Sequence, residues 1–268
     1  MPFTLDSIQD LPAVLARRDA ATAAAVQHYP CRAAIPYGPG AAETLDLYPA
    51  RNADGPAPVQ IFVHGGFWSM MQAAQFAFLA PGFAPFGAAL VVIDYPLIPH
   101  VRMADIVASC ARAVVFLHRH AAEFGIDPAR IYVSGNSAGG HLVAEIMNGP
   151  ASFAIKGGTA ISGLYDLTPV AASFRNEVLG FTPAEIAKFS PQLRPSRIAV
   201  PLIVAVGGDE TGEFLRQSAT FADHARGGGA AVDHIVVAET NHITVVLDAF
   251  ANPAAPLNRA VRRQMGLA

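Results

Sequence analysis

A serine stands between paired glycines in the stretch "GNSAG", residues 135–139. The strand-forming run "RIYVS" leads into this GxSxG motif, and the helical pattern "AGGHLVAEIM" follows it. A nucleophile elbow has this strand-turn-helix setting, and a Cβ two residues before or after the serine would clash in so sharp a turn. The setting predicts that Ser137 is a nucleophile and not a plain loop serine.

A serine hydroxyl is a weak nucleophile at neutral pH, so it needs a base and an acid that orients the base. His242 lies in a polar loop after the last predicted strand, in "VVAETNHITVV". Asp209 and Glu210 follow the preceding strand, "PLIVAVGG", at the edge of the sheet where active sites form in α/β proteins. Only one of these adjacent carboxylates can face the imidazole, and the spacing alone leaves both open.

The stretch "FVHGGFW", residues 62–68, ends an earlier predicted strand. Its consecutive glycines let the backbone bend toward a developing oxyanion, so we expect the amides of Gly65, Gly66 and Ala138 to form an oxyanion hole. Phe67 and Trp68 are candidates for the wall of a substrate pocket. Ordinary packing is the competing interpretation for both aromatic side chains.

Two further histidines lie beside these motifs. His64 belongs to the "HGG" stretch, and His141 comes one helical turn after Ser137. The pattern favours a structural role for both, with His64 supporting its loop.

Short β-branched runs alternate with longer segments of helical period, which is typical of a mostly parallel sheet covered by helices. Residues 31–37 and 43–49 predict an antiparallel hairpin at the start of the sheet. Within residues 101–125, Ile106, Cys110, Val114 and Leu117 form one apolar helical face. Six core strands are expected, in "VQIFVHGG", "ALVVIDY", "RIYVSGN", "GTAISGLY", "PLIVAVGG" and "DHIVVAE".

A chain of 268 residues fits either two small domains or one large α/β domain. Because no Gly, Ser or Pro-rich linker separates two cores, we expect residues 1–268 to form a single domain. The stretch 168–200 lacks strand signals and contains the helical pattern "TPAEIAKF", with Thr182 as N-cap and Pro183 at the first position. It is a candidate for a small helical cap.

The composition argues against several kinds of partner. Hydrophobic residues make up 52% and charged residues 15%, the net charge is −3, and no Lys/Arg cluster exceeds a pair, so nucleic-acid binding is not expected. The chain has no apolar run of membrane-spanning length, and Asp6 and Asp10 interrupt the N-terminus where a signal peptide would be apolar. We expect a cytoplasmic protein without a membrane partner. Cys31 and Cys110 stand far apart, so both are interpreted as buried thiols and no metal site is expected.

Five short stretches, "HGGFW", "GNSAGGHL", "SGLYDL", "EFLRQS" and "NH", occur in an order that resembles the kynurenine formamidase (arylformamidase) branch of the α/β-hydrolase superfamily. GxSxG marks only the superfamily, whereas HGGxW together with SGxYDL and EFxRQS is far narrower. The resemblance implies an eight-stranded α/β-hydrolase sheet and Ser-His-acid catalysis without a metal or cofactor. It also implies hydrolysis of N-formyl-kynurenine to kynurenine and formate in tryptophan breakdown.

Carried over to this chain, the resemblance places the nucleophile at Ser137, the base at His242 and the oxyanion glycines at Gly65 and Gly66. The acid falls on Glu210 when no gap is introduced, where other members have Asp. Asp209 is the alternative if the loop shifts by one residue.

Two departures from the family pattern concern the pocket. Asn136 stands where His is common, and Phe67 stands where Tyr is common. Both positions can border the substrate, so a formamide other than N-formyl-kynurenine stays open. A carboxylesterase acting on small or aryl esters is the main alternative, because "DYPLIP" resembles the hormone-sensitive-lipase-like esterases. In either case the partner is a small-molecule formamide or ester, and a homodimer is a candidate assembly.

Overall fold

A computed structural model describes residues 8–267. It contains one eight-stranded sheet with the order β1-β2-β4-β3-β5-β6-β7-β8. The strands are β1 (Arg32–Pro36), β2 (Thr44–Tyr48), β3 (Ala57–Val63), β4 (Ala89–Ile93), β5 (Ile126–Asn136), β6 (Ile155–Ile161), β7 (Leu202–Gly207) and β8 (Val232–Val237). β2 runs antiparallel to both of its neighbours and the remaining pairs are parallel. The predicted hairpin, six core strands and mostly parallel sheet are confirmed.

Helices cover both faces of this sheet. They are α1 (Leu11–His28), α2 (Met103–Arg119), α3 (Ala138–Asn148), α4 (Thr168–Ala171), α5 (Asn176–Leu179), α6 (Pro183–Phe189), α7 (Gly212–Gly227) and α8 (Pro256–Gln264). A 3₁₀ segment (Ala73–Gly82) and a π-helical turn (Val245–Phe250) add to these helices.

The two layers follow from the two-residue period of the strands. In β3, Val59, Ile61 and Val63 pack into an apolar cluster that also contains the buried faces of α2, α3 and α7. Phe62 points to the opposite face, into a cluster with residues of α1, the 3₁₀ segment and α8. Both faces of β3 are therefore buried, as a central parallel strand requires.

The apolar stripe predicted for α2 is the face that packs on the sheet. Ile106, Cys110, Val114 and Leu117 are all fully buried. Cys31, by contrast, is exposed, so the prediction of a buried thiol was wrong for that residue. It precedes the edge strand β1, which no further strand covers among the described residues.

The helix α1 was not anticipated from the sequence. Asp10 caps its first turn by accepting a hydrogen bond from the amide of Ala13 at 3.2 Å. Thr22 donates to the carbonyl of Gln75 at 3.2 Å and joins the helix to the 3₁₀ segment. In residues 8–267 no helix is both long and apolar enough to cross a membrane. Asp6, which entered the expectation about the N-terminus, lies outside the described residues.

The stretch 168–200 contains three short helices, α4, α5 and α6. Thr182 caps α6 as expected, with its hydroxyl accepting from the amide of Glu185 at 3.2 Å. The Glu185 carboxylate also binds the guanidinium of Arg102, at the start of α2. This contact fixes the stretch against the body of the protein. Whether it acts as a cap stays a prediction.

Candidate active site

The turn between β5 and α3 holds Ser137 in a strained conformation. Its φ of 58° and ψ of −121° lie in a region that side-chain-bearing residues rarely adopt. A Cβ on Gly135 would lie 2.5 Å from the carbonyl oxygen of Gly139, and a Cβ on Gly139 would lie 1.9 Å from that of Val63. Only glycine fits at these two positions, which explains the spacing of the motif.

A carboxylate fixes the imidazole that the sequence identified as the base. Oε2 of Glu210 lies 2.6 Å from Nδ1 of His242. The other carboxylate oxygen, Oε1, accepts from the hydroxyl of Ser162 at 2.5 Å and from the amide of Gly207 at 2.8 Å. In the tautomer with the proton on Nδ1, the N–H group donates a hydrogen bond to the carboxylate. This tautomer leaves Nε2 as the basic nitrogen.

The geometry distinguishes between the two candidate acids. The side chain of Glu210 is fully buried against His242, whereas Asp209 is exposed. The amide of Asp209 donates to the carbonyl of Thr240 at 2.9 Å, which orients this residue in the turn after β7. Glu210 is therefore the carboxylate that the structure brings to the imidazole.

The motifs "EFLRQS" and "SGLYDL" contact each other, and the first also contacts the ring of His242. Phe214 of "EFLRQS" stacks on the ring of His242, with the ring centroids 4.3 Å apart. Oε1 of Gln217, from the same motif, accepts from the amides of Tyr165 and Asp166 in "SGLYDL" at 2.6 and 2.9 Å. One motif thus supports the base and orders the loop formed by the other.

The loop after β3 brings two glycines beside the nucleophile. Gly66 has a φ of +100°, and a Cβ there would lie 2.4 Å from the carbonyl oxygen of Met70. A Cβ on Gly65 would lie 3.2 Å from Cβ of Ser137. No backbone carbonyl in residues 8–267 accepts from the amide of either glycine. Ala138 is the first residue of α3, where amides lack an intrahelical acceptor, so three amides are available for an oxyanion.

His64 supports this loop from below. The residue is fully buried, and its ring stacks on Tyr95 with the centroids 4.3 Å apart. The hydroxyl of Tyr95 donates to the carbonyl of His64 at 2.8 Å. Asp94 accepts from the amide of Ala73 at 2.7 Å, which ties the same region to the 3₁₀ segment. These contacts agree with the structural role expected for His64. Asp94 and Tyr95, the first two residues of "DYPLIP", take part in them.

The structure corrects the position of Trp68. This side chain is fully buried and is absent from the residues lining the cavity at Ser137. Its Nε1 donates to Nδ1 of His141 at 3.2 Å, and its ring packs edge-on against Phe181. Phe67, the preceding residue, does line the cavity. Two adjacent residues in a turn point in different directions, so the sequence could not assign both to one wall.

A cavity of about 430 Å³ is lined by both Ser137 and His242. Asn136 also lines it, and its buried Nδ2 has no hydrogen-bond partner among residues 8–267. Most of the remaining lining is apolar and consists of Leu15, Phe67, Met70, Met71, Phe76, Phe78, Ile243 and Val246. The site therefore combines the candidate nucleophile and the candidate base with a largely apolar pocket, an arrangement suited to acyl transfer.

Sequence reasoning missed two charged residues of this cavity, Arg18 and Arg175. Arg18 comes from α1 and Arg175 from the stretch between α4 and α5. Neither belongs to a motif, and only the fold brings these segments to the nucleophile. Within the described residues, no group of three or more His, Cys, Asp or Glu side chains is placed to hold a metal ion.

The order of the sheet, the strained serine after β5 and the Glu-His pair after β7 and β8 define an α/β-hydrolase. Comparison with known proteins narrows this class. Residues 45–153 match the BD-FAE family. Kynurenine formamidase from Danio rerio is 30% identical over 222 residues, which are 79% of this chain and 74% of that protein.

Two further relatives are esterase-like by name. An isoprenylcysteine alpha-carbonyl methylesterase from Arabidopsis thaliana is 28% identical over 81% of this chain and 57% of its own length. The solved structure of a putative thioesterase from Silicibacter sp. TM1040 is 28% identical and covers 94% of each chain with a TM-score of 0.81. The chain belongs to the kynurenine formamidase-like branch of the α/β-hydrolases. It is a hydrolase with formamidase or esterase activity.

Proposed function

We propose that the protein is a serine hydrolase that cleaves an aryl formamide, such as N-formyl-kynurenine, through an acyl-enzyme. The observation that carries the proposal is the buried Glu210 carboxylate, 2.6 Å from Nδ1 of His242, at a cavity that Ser137 also lines. A nucleophile and a base held by a buried acid are thereby presented to one largely apolar cavity. The family resemblance supports formamide as the scissile bond.

In the first half of the reaction, Nε2 of His242 removes the hydroxyl proton of Ser137 as Oγ attacks the formyl carbon. The negative charge on the carbonyl oxygen is stabilised by the amides of Gly65, Gly66 and Ala138. The protonated imidazole then gives its proton to the departing aryl amine. Glu210 stays ionised and stabilises the imidazolium.

In the second half, water takes the place of the amine. His242 removes a proton from this water as its oxygen attacks the formyl ester on Ser137. The tetrahedral intermediate uses the same amides, and its collapse returns the proton to Oγ and releases formate. The apolar walls of the cavity, including Phe67 and Ile243, suit the aryl group of the leaving amine.

A carboxylesterase is the second candidate, because an acyl pocket that admits formyl also admits a small ester acyl group. The methylesterase relative supports this alternative. Asn136 and Phe67, which depart from the formamidase pattern, both line the cavity and bear on the same choice.

The test is the ratio of kcat/KM for N-formyl-L-kynurenine to that for p-nitrophenyl acetate. We expect a ratio far above one, which would make tryptophan breakdown the context of the reaction. A ratio near or below one would contradict the formamidase proposal and favour the esterase. Ser137→Ala is the blank, and its activity should fall about 10⁴-fold or more with unchanged folding by circular dichroism.

A further inference from the structure

Apart from His242, the ionisable side chains that line the cavity at Ser137 are both arginines. Arg18 and Arg175 contribute guanidinium groups, and no Asp or Glu is among the described lining residues. The chain as a whole has a net charge of −3, so this local excess of positive charge runs against the average of the molecule. A pocket of this kind attracts an anionic group on an otherwise apolar ligand.

The two arginines differ in how they are paired. Nε and Nη2 of Arg18 both donate to Oδ1 of Asp19, at 3.0 and 2.7 Å, so part of its charge is compensated. Arg175 forms no ion pair with any carboxylate in residues 8–267. Its Nε is buried and has no hydrogen-bond partner there either. Leaving a buried N–H unsatisfied is costly, and a ligand that accepts from it removes that cost.

Aromatic rings hold the guanidinium of Arg175 in place. Its Cζ lies 4.3 Å from the ring centroid of Phe67 and 4.8 Å from that of Phe174. These cation–π contacts position the guanidinium, and the fork of N–H donors on a guanidinium matches a carboxylate with two parallel hydrogen bonds. Phe67 directly follows Gly65 and Gly66, and Phe67, Arg175 and Ser137 all line the same cavity.

We propose that Arg175 is a specificity-determining residue that binds a carboxylate on the leaving group of the substrate, with Arg18 as a weaker second contact. The inference rests on the proposed function. A formyl group cannot carry a carboxylate, so the carboxylate that Arg175 binds must belong to the leaving group. The substrate class is therefore an aryl formamide or ester whose aryl portion carries a carboxylate.

The experiment compares matched substrates that differ only in this charge. N-formyl-3-aminobenzoate is paired with N-formyl-3-aminobenzamide, and 3-carboxyphenyl acetate is paired with 3-carbamoylphenyl acetate. For each pair the ratio of kcat/KM, carboxylate over carboxamide, is measured in the wild type and in variants. Comparing ratios between variants cancels the different intrinsic reactivities of the two leaving groups.

We expect Arg175→Met to lower kcat/KM for the carboxylate substrate by about 10- to 100-fold and to leave the carboxamide within about twofold. Arg175→Lys should retain part of the preference, and Arg18→Met should lose less than Arg175→Met. Arg197→Met is the control, because Arg197 is exposed on the same stretch and does not line the cavity.

An equal loss for both substrates in Arg175→Met would overturn the proposal, since it would show a structural role. Unchanged kcat/KM values for both substrates would overturn it as well, since Arg175 would then contribute nothing to binding the carboxylate. If Arg175→Met does not fold, Arg175→Lys and competitive inhibition of the wild type by 3-aminobenzoate against 3-aminobenzamide decide the question, and equal inhibition by the two compounds contradicts the proposal. If the esters are hydrolysed and the formamides are not, the formamidase proposal fails while the ester pair still tests Arg175.

Discussion

Among the Glu-His pairs of residues 8–267, the two with buried carboxylates have opposite settings. His242 binds Glu210 through Nδ1 and lines the cavity with Ser137. His141 lies 3.9 Å from Glu145, one helical turn along α3, and is fully buried. The residue types are therefore insufficient to tell a base from a core histidine.

The difference lies in what the second nitrogen of each imidazole does. In His141 both nitrogens are occupied, since Nδ1 accepts from Trp68 and Nε2 lies 2.7 Å from the carbonyl oxygen of Phe189. In His242, Nδ1 pairs with Glu210, and Nε2 is the nitrogen that transfers the proton in the proposed mechanism. The carboxylates differ as well, because Glu145 is bound by the guanidinium of Arg194 and not by its histidine. A base needs one anchored and one uncommitted nitrogen.

The largest expected effect separates the two carboxylates. Glu210→Gln should lower kcat/KM about 10⁴-fold, because the amide no longer stabilises the imidazolium and favours the wrong tautomer. Asp209→Asn is the matched control, and its kcat/KM should stay within about twofold of the wild type. Steady-state kinetics on the three proteins checks this. A large loss in Asp209→Asn and none in Glu210→Gln would reverse the assignment of the acid.

The pair formed by His242 and Glu210 also differs from the pair formed by His141 and Glu145 in its surroundings. Only the first lies at a cavity that has candidate oxyanion amides beside it. Gly65→Ala places a Cβ 2.9 Å from the carbonyl oxygen of Asn136, so the amide must shift. We expect kcat to fall about 10²- to 10³-fold with little change in KM, since the oxyanion forms only in the transition state. An increase in KM at constant kcat would contradict this account.

Much of this comparison could be predicted from the sequence, because the catalytic parts are tied to local geometry. The GxSxG motif after a strand predicted Ser137 as the nucleophile, because its glycines avoid a clash within the same turn. His242 followed from its loop at the sheet edge. The acid stayed open between Asp209 and Glu210, because a one-residue difference in a turn decides which side chain is buried. That difference depends on contacts with Gly207 in the same turn and with Ser162, which is distant in the sequence.

The cavity wall was less predictable. Arg18 and Arg175 reach it from segments that are adjacent to Ser137 only in the folded chain. The helix α1 carries a signal in hindsight, with Asp10 as N-cap ahead of Pro12 and an alanine-rich run. Trp68 was a candidate for the pocket wall, with ordinary packing as the alternative. A positive φ at both Phe67 and Trp68 turns the chain, and the indole is buried.

The buried pair should affect stability and not activity. Burial raises the pKa of Glu145 to about 7, and Arg194 opposes this shift. Arg194→Met leaves the buried carboxylate of Glu145 without its guanidinium partner, so we expect the free energy of unfolding to fall by about 1 to 2 kcal/mol. Urea unfolding followed by circular dichroism measures this loss. The kcat should stay within about twofold of the wild type, and a larger drop would indicate that the buried pair takes part in catalysis.

The smallest effect concerns protonation of His141. Burial lowers the pKa of this imidazole to about 4. Since the folded value lies below the usual value of about 6.5, the unfolded chain binds the proton more readily, and stability is lost as pH falls from about 6.5 toward 4. Trp68 is the single tryptophan and contacts His141, so its fluorescence reports on the ring.

We expect Trp68 emission to stay constant between pH 8 and about 5.5, because the neighbouring imidazole remains neutral and a protonated imidazole would quench the indole. A fluorescence titration of the folded protein measures this, with N-acetyl-tryptophanamide as the reference. A quenching step near pH 6.5 would show that His141 titrates as an exposed histidine does, and would remove the contrast with His242.

The central claim is that Ser137 is the nucleophile activated by His242 and Glu210. The most direct measurement is labelling with a fluorophosphonate, followed by peptide mass spectrometry and repeated on His242→Asn. We expect one phosphonylated residue, Ser137, and a far slower reaction in the variant. An unlabelled wild type, a label on another serine, or equal rates in the two proteins would contradict it.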